Sequence, residues 1–120
     1  MKKRILVVDD DPMNLARTKW ILDNEYEVLL VDSGIKALDK LEREKVDLVL
    51  LDIEMPEMNG FETFERMKNV AADVPVIFLT ASGLEDDVVS AIKLGAVNYL
   101  IKPFVPHDLL KRVAQELAKR

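Results

Sequence analysis

Short apolar runs recur along the chain, and each is followed by a longer segment with the 3.6-residue periodicity of a helix. The five runs are Ile5–Val8, Val28–Val31, Leu48–Leu51, Val76–Leu79 and Tyr99–Ile101. Regular alternation of strands and helices is typical of a parallel sheet with helices on both faces. The pattern therefore predicts a doubly wound α/β fold with five parallel strands and five helices, for which 2-1-3-4-5 is a common strand order.

Residues that favour helix starts stand ahead of every helical segment. They are Asp11 with Pro12, Ser33, Asn59, the capping-box sequence Ser82-Gly83-Leu84-Glu85, and Pro106. Gly95 is placed to end the fourth helix. These signals agree with the apolar runs on where each helix begins.

Apolar stripes predict which face of each later helix packs on the sheet. They are Ala37, Leu38 and Leu41 in the second helix, Phe61, Phe64 and Met67 in the third, Val88, Ala91 and Ile92 in the fourth, and Leu110, Val113, Ala114 and Leu117 in the fifth. Val89 lies at the margin of its stripe and is a candidate for an exposed partner contact.

The first helix has two apolar faces, of which only one can cover the sheet. One face carries Leu15, Thr18 and Leu22, and the opposite face carries Met13, Ala16 and Trp20. In one interpretation Trp20 lies over a neighbouring loop. In the other, Met13, Ala16 and Trp20 form a surface on which a partner protein docks.

Composition narrows the class of protein. The 120 residues suffice for one domain, predicted over residues 1–120, and the net charge of −5 argues against direct nucleic-acid binding. The chain has no cysteine and one histidine, which excludes thiolate sites and histidine-clustered metal sites. No apolar run approaches the roughly 20 residues of a membrane-spanning helix, nor the core of a signal peptide. A cytoplasmic protein without a membrane partner is therefore expected.

Polar side chains follow four of the predicted strands at the point where each strand ends. Asp9 and Asp10 follow the first strand, Asp52 the third, Thr80 the fourth and Lys102 the fifth. Because the carboxyl ends of parallel strands meet at one edge of the sheet, these residues are expected to converge there. Individually each has an ordinary interpretation, such as a solvated loop acid or a surface lysine, and only their convergence is specific.

Three carboxylates in one crevice favour a bound cation, because two unit charges about 4 Å apart repel by about 4 kcal/mol at an effective dielectric near 20. Oxygen ligands without nitrogen or sulfur suit Mg²⁺ or Ca²⁺, and carboxylates with waters and a phosphate are typical of Mg²⁺. A metal, a lysine, a hydroxyl and a carboxylate nucleophile together predict chemistry on a phosphoryl group.

Four segments spread over residues 5–104 carry a resemblance to a known family: ILVVDDDP, LVLLDIEMPEMNG, VIFLTA and NYLIKPF. With them the whole chain resembles the receiver domain of two-component response regulators, the family of the single-domain chemotaxis regulator. The resemblance implies a flavodoxin-like fold and a phosphorylation-activated signalling switch with Mg²⁺ as cofactor. Such a domain is a phosphoacceptor that assists its own phosphorylation and dephosphorylation, and is not an enzyme.

The resemblance also implies roles for the strand-end residues. Asp52 accepts the phosphoryl group from a phosphohistidine on a sensor histidine kinase or a phosphotransfer protein. Asp10, Asp52 and the backbone carbonyl of Glu54 bind Mg²⁺ directly, and Asp9 acts mainly through metal-bound water. Lys102 stabilises the phosphoryl oxygens, and the Lys102-Pro103 peptide is expected to be cis.

The resemblance also implies that phosphorylation changes the surface to which partner proteins bind. Thr80 moves its hydroxyl onto the phosphate and Tyr99 turns inward behind it, which changes the partners of the surface formed by helix 4, strand 5 and helix 5. The effector and any output domain are left open, as is a phosphorylation-dependent dimer. Glu54 and Ser82 occupy two positions whose residue type varies within the family and is linked to how fast the phosphate is lost. Glu54 is expected either to pair with Lys102 or to repel an attacking water.

Two other functions account for parts of the sequence. Asp9 and Asp11 mimic the Asp-x-Asp of aspartate-nucleophile phosphatases, but Pro12 and Met13 depart from that motif and the chain is short for such an enzyme. A receiver-like scaffold that binds partners without phosphorylation is a further alternative. Neither glycine motif of nucleotide-binding proteins is present. His107 is expected to be a solvated surface residue.

Overall fold

The computed structural model describes residues 1–81, 85–93 and 95–119, which form one five-stranded sheet and five helices. The strands are β1 (Arg4–Val8), β2 (Glu27–Val31), β3 (Leu48–Asp52), β4 (Val76–Ala81) and β5 (Asn98–Lys102). The helices are α1 (Pro12–Leu22), α2 (Gly34–Arg43), α3 (Gly60–Met67), α4 (Glu85–Lys93) and α5 (Pro106–Ala118). Each predicted apolar run lies inside its strand, which extends one or two residues further.

All strand pairings are parallel, and the strand order is β2-β1-β3-β4-β5. The predicted flavodoxin-like topology is therefore confirmed. β3 is buried along its whole length, as its unbroken apolar run indicates. The switch point between β1 and β3 lies in the middle of the sheet, where doubly wound folds build their ligand sites.

Successive side chains of each strand point to opposite faces of the sheet and form two apolar layers, one on each face. On one face, Leu6 and Leu51 pack under α2, α3 and α4. On the other, Ile5 and Leu50 pack under α1 and α5. The two layers fix the sheet between helices, so the loops at its carboxyl edge are held on a rigid frame.

Three of the predicted helix caps are present. The Asp11 side chain accepts a hydrogen bond from the Met13 N–H at 2.9 Å, and Ser33 accepts one from Lys36 at 3.1 Å. Asn59 and Glu62 form a reciprocal capping box at the start of α3. The capping box predicted at 82–85 lies outside the described residues. Within α4, Val88 is buried and Val89 is 43% exposed, in agreement with its marginal position.

The predicted packing face of α5 is confirmed for Leu110, Val113 and Leu117, which contact the apolar layer, but not for Ala114, which is exposed. The most buried residues of this helix are Leu109, Val113 and Glu116. The apolar stripe did not include Glu116 because this residue is a carboxylate. The Glu116 side chain accepts a hydrogen bond from Asn98 at 3.2 Å and pairs with Lys119 at 3.3 Å.

α1 packs through Leu15, Thr18, Ile21 and Leu22, as the first of its two faces predicts. On the opposite face Met13 is 81% exposed and Trp20 is 78% exposed. The interpretation in which Trp20 lies over a neighbouring loop is therefore wrong. Among the described residues, no helix has the length and apolar character needed to cross a membrane.

Candidate phosphoryl site

The predicted polar residues lie together at the carboxyl edge of the sheet. Asp52 is the last residue of β3 and Lys102 the last of β5, while Asp9 follows β1 directly. Asp9 is 2% exposed and Asp52 is 4% exposed, so both carboxylates lie within the protein, whereas Asp10 is exposed. One carboxylate oxygen from each of these three aspartates lies within 4.8 Å of the others.

Lys102 spans the two buried carboxylates. Its Nζ lies 2.9 Å from Asp52 Oδ1 and 3.1 Å from Asp9 Oδ2. The Lys102-Pro103 peptide is cis, as the resemblance implies. Glu54 is exposed, and Lys102 pairs with Asp9 and Asp52, so the predicted pairing of Glu54 with Lys102 is not the arrangement in this structure.

The charges of the site do not balance. Burial raises the pKa of Asp52 to about 6, with Lys102 acting in the opposite direction and the charges of Asp9 and Asp10 adding to the rise. Burial alone would lower the pKa of Lys102, but its hydrogen bonds and the charges of Asp52 and Asp9 outweigh burial and raise it. Three carboxylates face one ammonium, and this surplus of negative charge favours a bound cation.

The donor set fits Mg²⁺. The cluster offers carboxylate oxygens alone, without nitrogen or sulfur, and the surplus of two negative charges matches a divalent ion. Asp10 is exposed, so water can reach the cluster and complete an octahedral shell, which Mg²⁺ retains more readily than other cations do.

The loop after β3 closes tightly against the strand that carries Asp52. A Cβ on Gly60 would lie 2.4 Å from the Asp52 carbonyl oxygen, which leaves space only for glycine. The Gly60 N–H donates to the Ile53 carbonyl at 2.8 Å. Within the loop Glu57 has a φ of 67°, in the left-handed region. The loop therefore fixes the backbone on both sides of Glu54.

Thr80 and Tyr99, the residues of the predicted switch, lie on the two strands beyond β3. Thr80 is fully buried, and its hydroxyl donates to the Ala81 carbonyl at 3.1 Å. Tyr99 is half-buried, and the Arg112 guanidinium carbon lies 5.9 Å from the centroid of its ring.

Residues 5–114 match the family model of the response regulator receiver domain. The chain belongs to this family. One curated relative is the alkaline phosphatase synthesis transcriptional regulatory protein PhoP of Bacillus subtilis, 37% identical over 114 residues, or 94% of this chain and 48% of the relative. The chain thus spans about half the length of such curated relatives.

Solved receiver structures agree with this assignment. A CheY-like response regulator receiver protein from Methanospirillum hungatei is 36% identical with a TM-score of 0.92, over 99% of this chain and 96% of that one. The receiver domain of sensor histidine kinase PA1611 from Pseudomonas aeruginosa is 30% identical with a TM-score of 0.88, over 98% of this chain and 99% of that one. That protein was crystallised with a magnesium ion coordinated in its active-site cleft.

The remaining predicted residues of this receiver domain lie on its surface. Met13 and Trp20 stand on α1, and Val89 stands on α4, which covers the opposite face of the sheet. His107 is exposed in the first turn of α5, as expected. Ser82, predicted to influence phosphate lifetime, lies outside the described residues.

Two arginines near the site escaped the sequence reasoning. Arg17 of α1 contacts Phe104 after β5, and Arg112 of α5 donates to the Asn98 side chain at 2.9 Å and to the Tyr99 carbonyl. Neither lies at a strand end or in one of the four short segments that carry the family resemblance. In the sequence, only their positions along α1 and α5 could have indicated contacts with β5 and the segment after it.

Proposed function

We propose that this receiver domain acts as a phosphorylation-activated switch in a two-component phosphorelay, with Asp52 as the phosphoacceptor. The observation that carries the proposal is the convergence of Asp9, Asp10, Asp52 and Lys102 at one edge of the sheet. Carboxylates, a divalent metal and a fixed cation are the parts that phosphoryl transfer needs, since its catalysis consists of positioning and charge stabilisation.

In the proposed reaction an ionised Asp52 oxygen attacks the phosphorus of a phosphohistidine. An O–P bond forms while the N–P bond breaks, and the histidine nitrogen leaves with the electron pair, so that Asp52 becomes an acyl phosphate. The donor is a sensor histidine kinase or a phosphotransfer protein. Because the pKa of Asp52 is about 6, the carboxylate is ionised and nucleophilic at neutral pH.

Asp10, Asp52 and the Glu54 backbone carbonyl are proposed to hold Mg²⁺ directly, with Asp9 acting mainly through water. The ion supplies positive charge against the oxygens of the carboxylates and the phosphoryl group. Lys102, already 2.9 Å from Asp52 Oδ1, is placed to pair with a phosphoryl oxygen. Thr80, on β4 beside β3, is proposed to donate its hydroxyl to another phosphoryl oxygen.

The output is proposed to follow from rearrangement of Thr80 and Tyr99. The Thr80 hydroxyl would move from the Ala81 carbonyl to the phosphate, and the Tyr99 ring would turn inward behind it. The surface of α4, β5 and α5, including Val89, would then change its partners, either an effector or a second copy of the domain. We place this action in the cytoplasm, and we assign residues 1–120 to one receiver domain.

Met13 and Trp20 are proposed to contact the kinase or phosphotransfer partner. Both lie on the exposed face of α1, the helix that begins directly after the acids of the site, and two large apolar side chains exposed on one helix face fit a docking surface. Trp20→Ala should slow phosphotransfer from the cognate kinase and leave phosphorylation by a small phosphodonor unchanged. If both rates fall equally, Trp20 has a structural role instead.

A phosphatase of the Asp-x-Asp type receives less support. The Asp11 side chain caps α1, and the Asp9 carboxylate accepts hydrogen bonds from the Asp11 N–H at 3.0 Å and from Lys102. The second acid of that motif, Asp11, is therefore engaged as a helix cap and not as a general acid.

Incubation with acetyl phosphate and analysis of the intact protein mass tests the proposal. We expect one phosphoryl group in the presence of Mg²⁺, none in the presence of a chelator, and none on Asp52→Asn. Asp39→Asn on the exposed surface of α2 is the control and should be labelled like the unchanged protein. Equal labelling of Asp52→Asn would overturn the proposal.

A further inference from the structure

Arg17 joins helix α1 to the segment that follows Lys102. Its Nη2 donates a hydrogen bond to the Phe104 carbonyl oxygen at 2.7 Å, and its guanidinium carbon lies 5.2 Å from the centroid of the Phe104 ring. Phe104 stands two residues after Lys102 and is 7% exposed. One side chain thus holds both the backbone and the ring of a residue next to the site.

A cavity of about 490 Å³ separates α1 from this segment. Asn14 and Thr18 of α1 line one side of it, and Lys102, Pro103 and Phe104 line the other. Phe104 itself packs in the apolar layer that α1 and α5 cover, together with Leu15 and Ile21, so packing as well as the Arg17 contact holds this residue. Among the described residues, the Arg17 hydrogen bond is the only one that a side chain of α1 makes to this segment.

Lys102 ends β5, where it pairs with Ala81 of β4, and it directly precedes that segment. Its Nζ must stay about 3 Å from two carboxylates on different strands, at the measured 2.9 Å and 3.1 Å. A charge that acts on a phosphoryl group loses much of its effect when it moves by as little as about 1 Å. A polar link to the segment that directly follows Lys102 is therefore expected to affect where its ammonium lies.

We propose that Arg17 is a positioning residue for Lys102, which it holds in place through Phe104. The inference rests on the proposed function of the site. Arg17 touches none of the three aspartates and is not a catalytic residue, so its contribution reaches the reaction through the backbone of the β5–α5 connection. The arginine side chain suits this role because its planar fork donates to a carbonyl while its face stacks on a ring.

The test compares Arg17→Met and Arg17→Lys with Lys19→Met. Methionine keeps the length and the apolar character of the side chain and removes the donors and the charge. Lysine keeps the charge and one donor but cannot stack as a plane. Lys19→Met is the matched control, because it removes a cation from the same helix whose partner is the exposed Asp23, at 3.1 Å.

The rate constant for phosphorylation of Asp52 by acetyl phosphate, at saturating Mg²⁺, is the first measurement. We expect Arg17→Met to be about tenfold slower than Lys19→Met, with Arg17→Lys between the two. The second measurement is the Mg²⁺ dissociation constant by calorimetry. It should be the same in Arg17→Met and Lys19→Met, since both lose one charge and neither loses a ligand.

Each other outcome overturns the inference. An unchanged rate in Arg17→Met, with a lower unfolding midpoint, assigns the contact to stability alone. A parallel loss of Mg²⁺ affinity means that the substitution disturbs the aspartates rather than Lys102. If Arg17→Met does not fold, Arg17→Lys is compared with Lys19→Met instead. Equal phosphorylation rates of these two variants would contradict the positioning role. Absence of phosphorylation in the unchanged protein defeats the proposed function itself, which distinguishes the two failures.

Discussion

Asp52 and Asp9 share one lysine, and both carboxylates are almost inaccessible to solvent. The pKa of Asp52 rises to about 6 from the usual 3.8, so its charged form is disfavoured by the folded protein. Each unit of such a shift corresponds to about 1.4 kcal/mol. The site is therefore built at a cost to stability, which a function in phosphoryl chemistry explains.

Asp52→Asn should stabilise the fold in the absence of Mg²⁺. Below about pH 3 the Asp52 carboxyl is protonated in both states, and the pH-dependent part of the difference should vanish. As the pH rises to about 6, the unfolded state loses its proton first, so the stability of the unchanged protein falls relative to the variant. Above pH 6 we expect an advantage of about 2 kcal/mol, because the rise in pKa from 3.8 to about 6, in which the Lys102 pairing is already counted, corresponds to about 3 kcal/mol before screening by solvent.

Urea unfolding followed by far-ultraviolet circular dichroism between pH 4 and pH 8, with a chelator present, measures this difference. Asp39→Asn, which changes an exposed carboxylate on α2, should follow the unchanged protein at every pH. If Asp52→Asn is less stable than the unchanged protein at pH 8, or if the difference is independent of pH, the assigned pKa is contradicted.

The residues of the site could be predicted from the sequence because strand ends in a parallel sheet share an edge. Asp9, Asp52 and Lys102 needed only the alternation of strands and helices to be brought together. Their pairing could not be predicted, because the pattern does not determine which carboxylates a long lysine side chain reaches. For the same reason Glu54 was a candidate partner of Lys102 until the structure placed that lysine on Asp9 and Asp52.

At the scale of elements, β5 and α5 are joined by polar contacts as well as apolar ones. Asn98 donates to buried Glu116 at 3.2 Å and accepts from Arg112 at 2.9 Å and from the Tyr99 N–H at 2.8 Å. The network holds the backbone next to Tyr99 and connects it with the last turns of α5. Any movement of the Tyr99 backbone would therefore change the hydrogen bonds that join β5 to α5.

Asn98→Ala should destabilise the domain by about 1–2 kcal/mol, because it leaves the Glu116 carboxylate buried without its amide donor. Lys119→Ala removes the other partner of Glu116, but the Lys119 side chain is 66% exposed, and water can replace it. We expect less than about 0.5 kcal/mol from that control. Urea midpoints of the two variants check the comparison, and equal losses would mean that Asn98 does not support Glu116.

The same network explains why the predicted face of α5 omitted Glu116. Hydrophobic periodicity selects apolar residues, whereas Glu116 is buried because Asn98 of β5 and Lys119, three residues further along the chain, satisfy its oxygens. In α1 the pattern correctly predicted two faces, but it could not decide whether Trp20 is covered. That depends on loops whose path the sequence does not reveal.

At the scale of the whole molecule, the apolar layers on the two faces of the sheet hold the charged residues at its carboxyl edge. Two apolar layers stabilise the fold, while the carboxyl edge concentrates three acids around one lysine. A cation bound at this edge binds the folded state and not the unfolded chain, so it should stabilise the entire domain by mass action.

Mg²⁺ at a hundred times its dissociation constant should raise the free energy of unfolding by about 2.7 kcal/mol. Asp10→Asn should lose most of this increase, because it removes an exposed ligand oxygen while the buried acids remain. Thermal unfolding over a Mg²⁺ titration at constant ionic strength measures the effect. An increase of equal size in Asp10→Asn would place the ion elsewhere.

The central claim is that Asp52, and no other acid of the cluster, carries the phosphoryl group. Borohydride reduces an acyl phosphate of aspartate to homoserine, so treatment after phosphorylation with acetyl phosphate and Mg²⁺ marks the modified residue permanently. Peptide mass spectrometry should then find homoserine at position 52 alone. Homoserine at position 9 or 10, or its absence from the protein, would contradict the account.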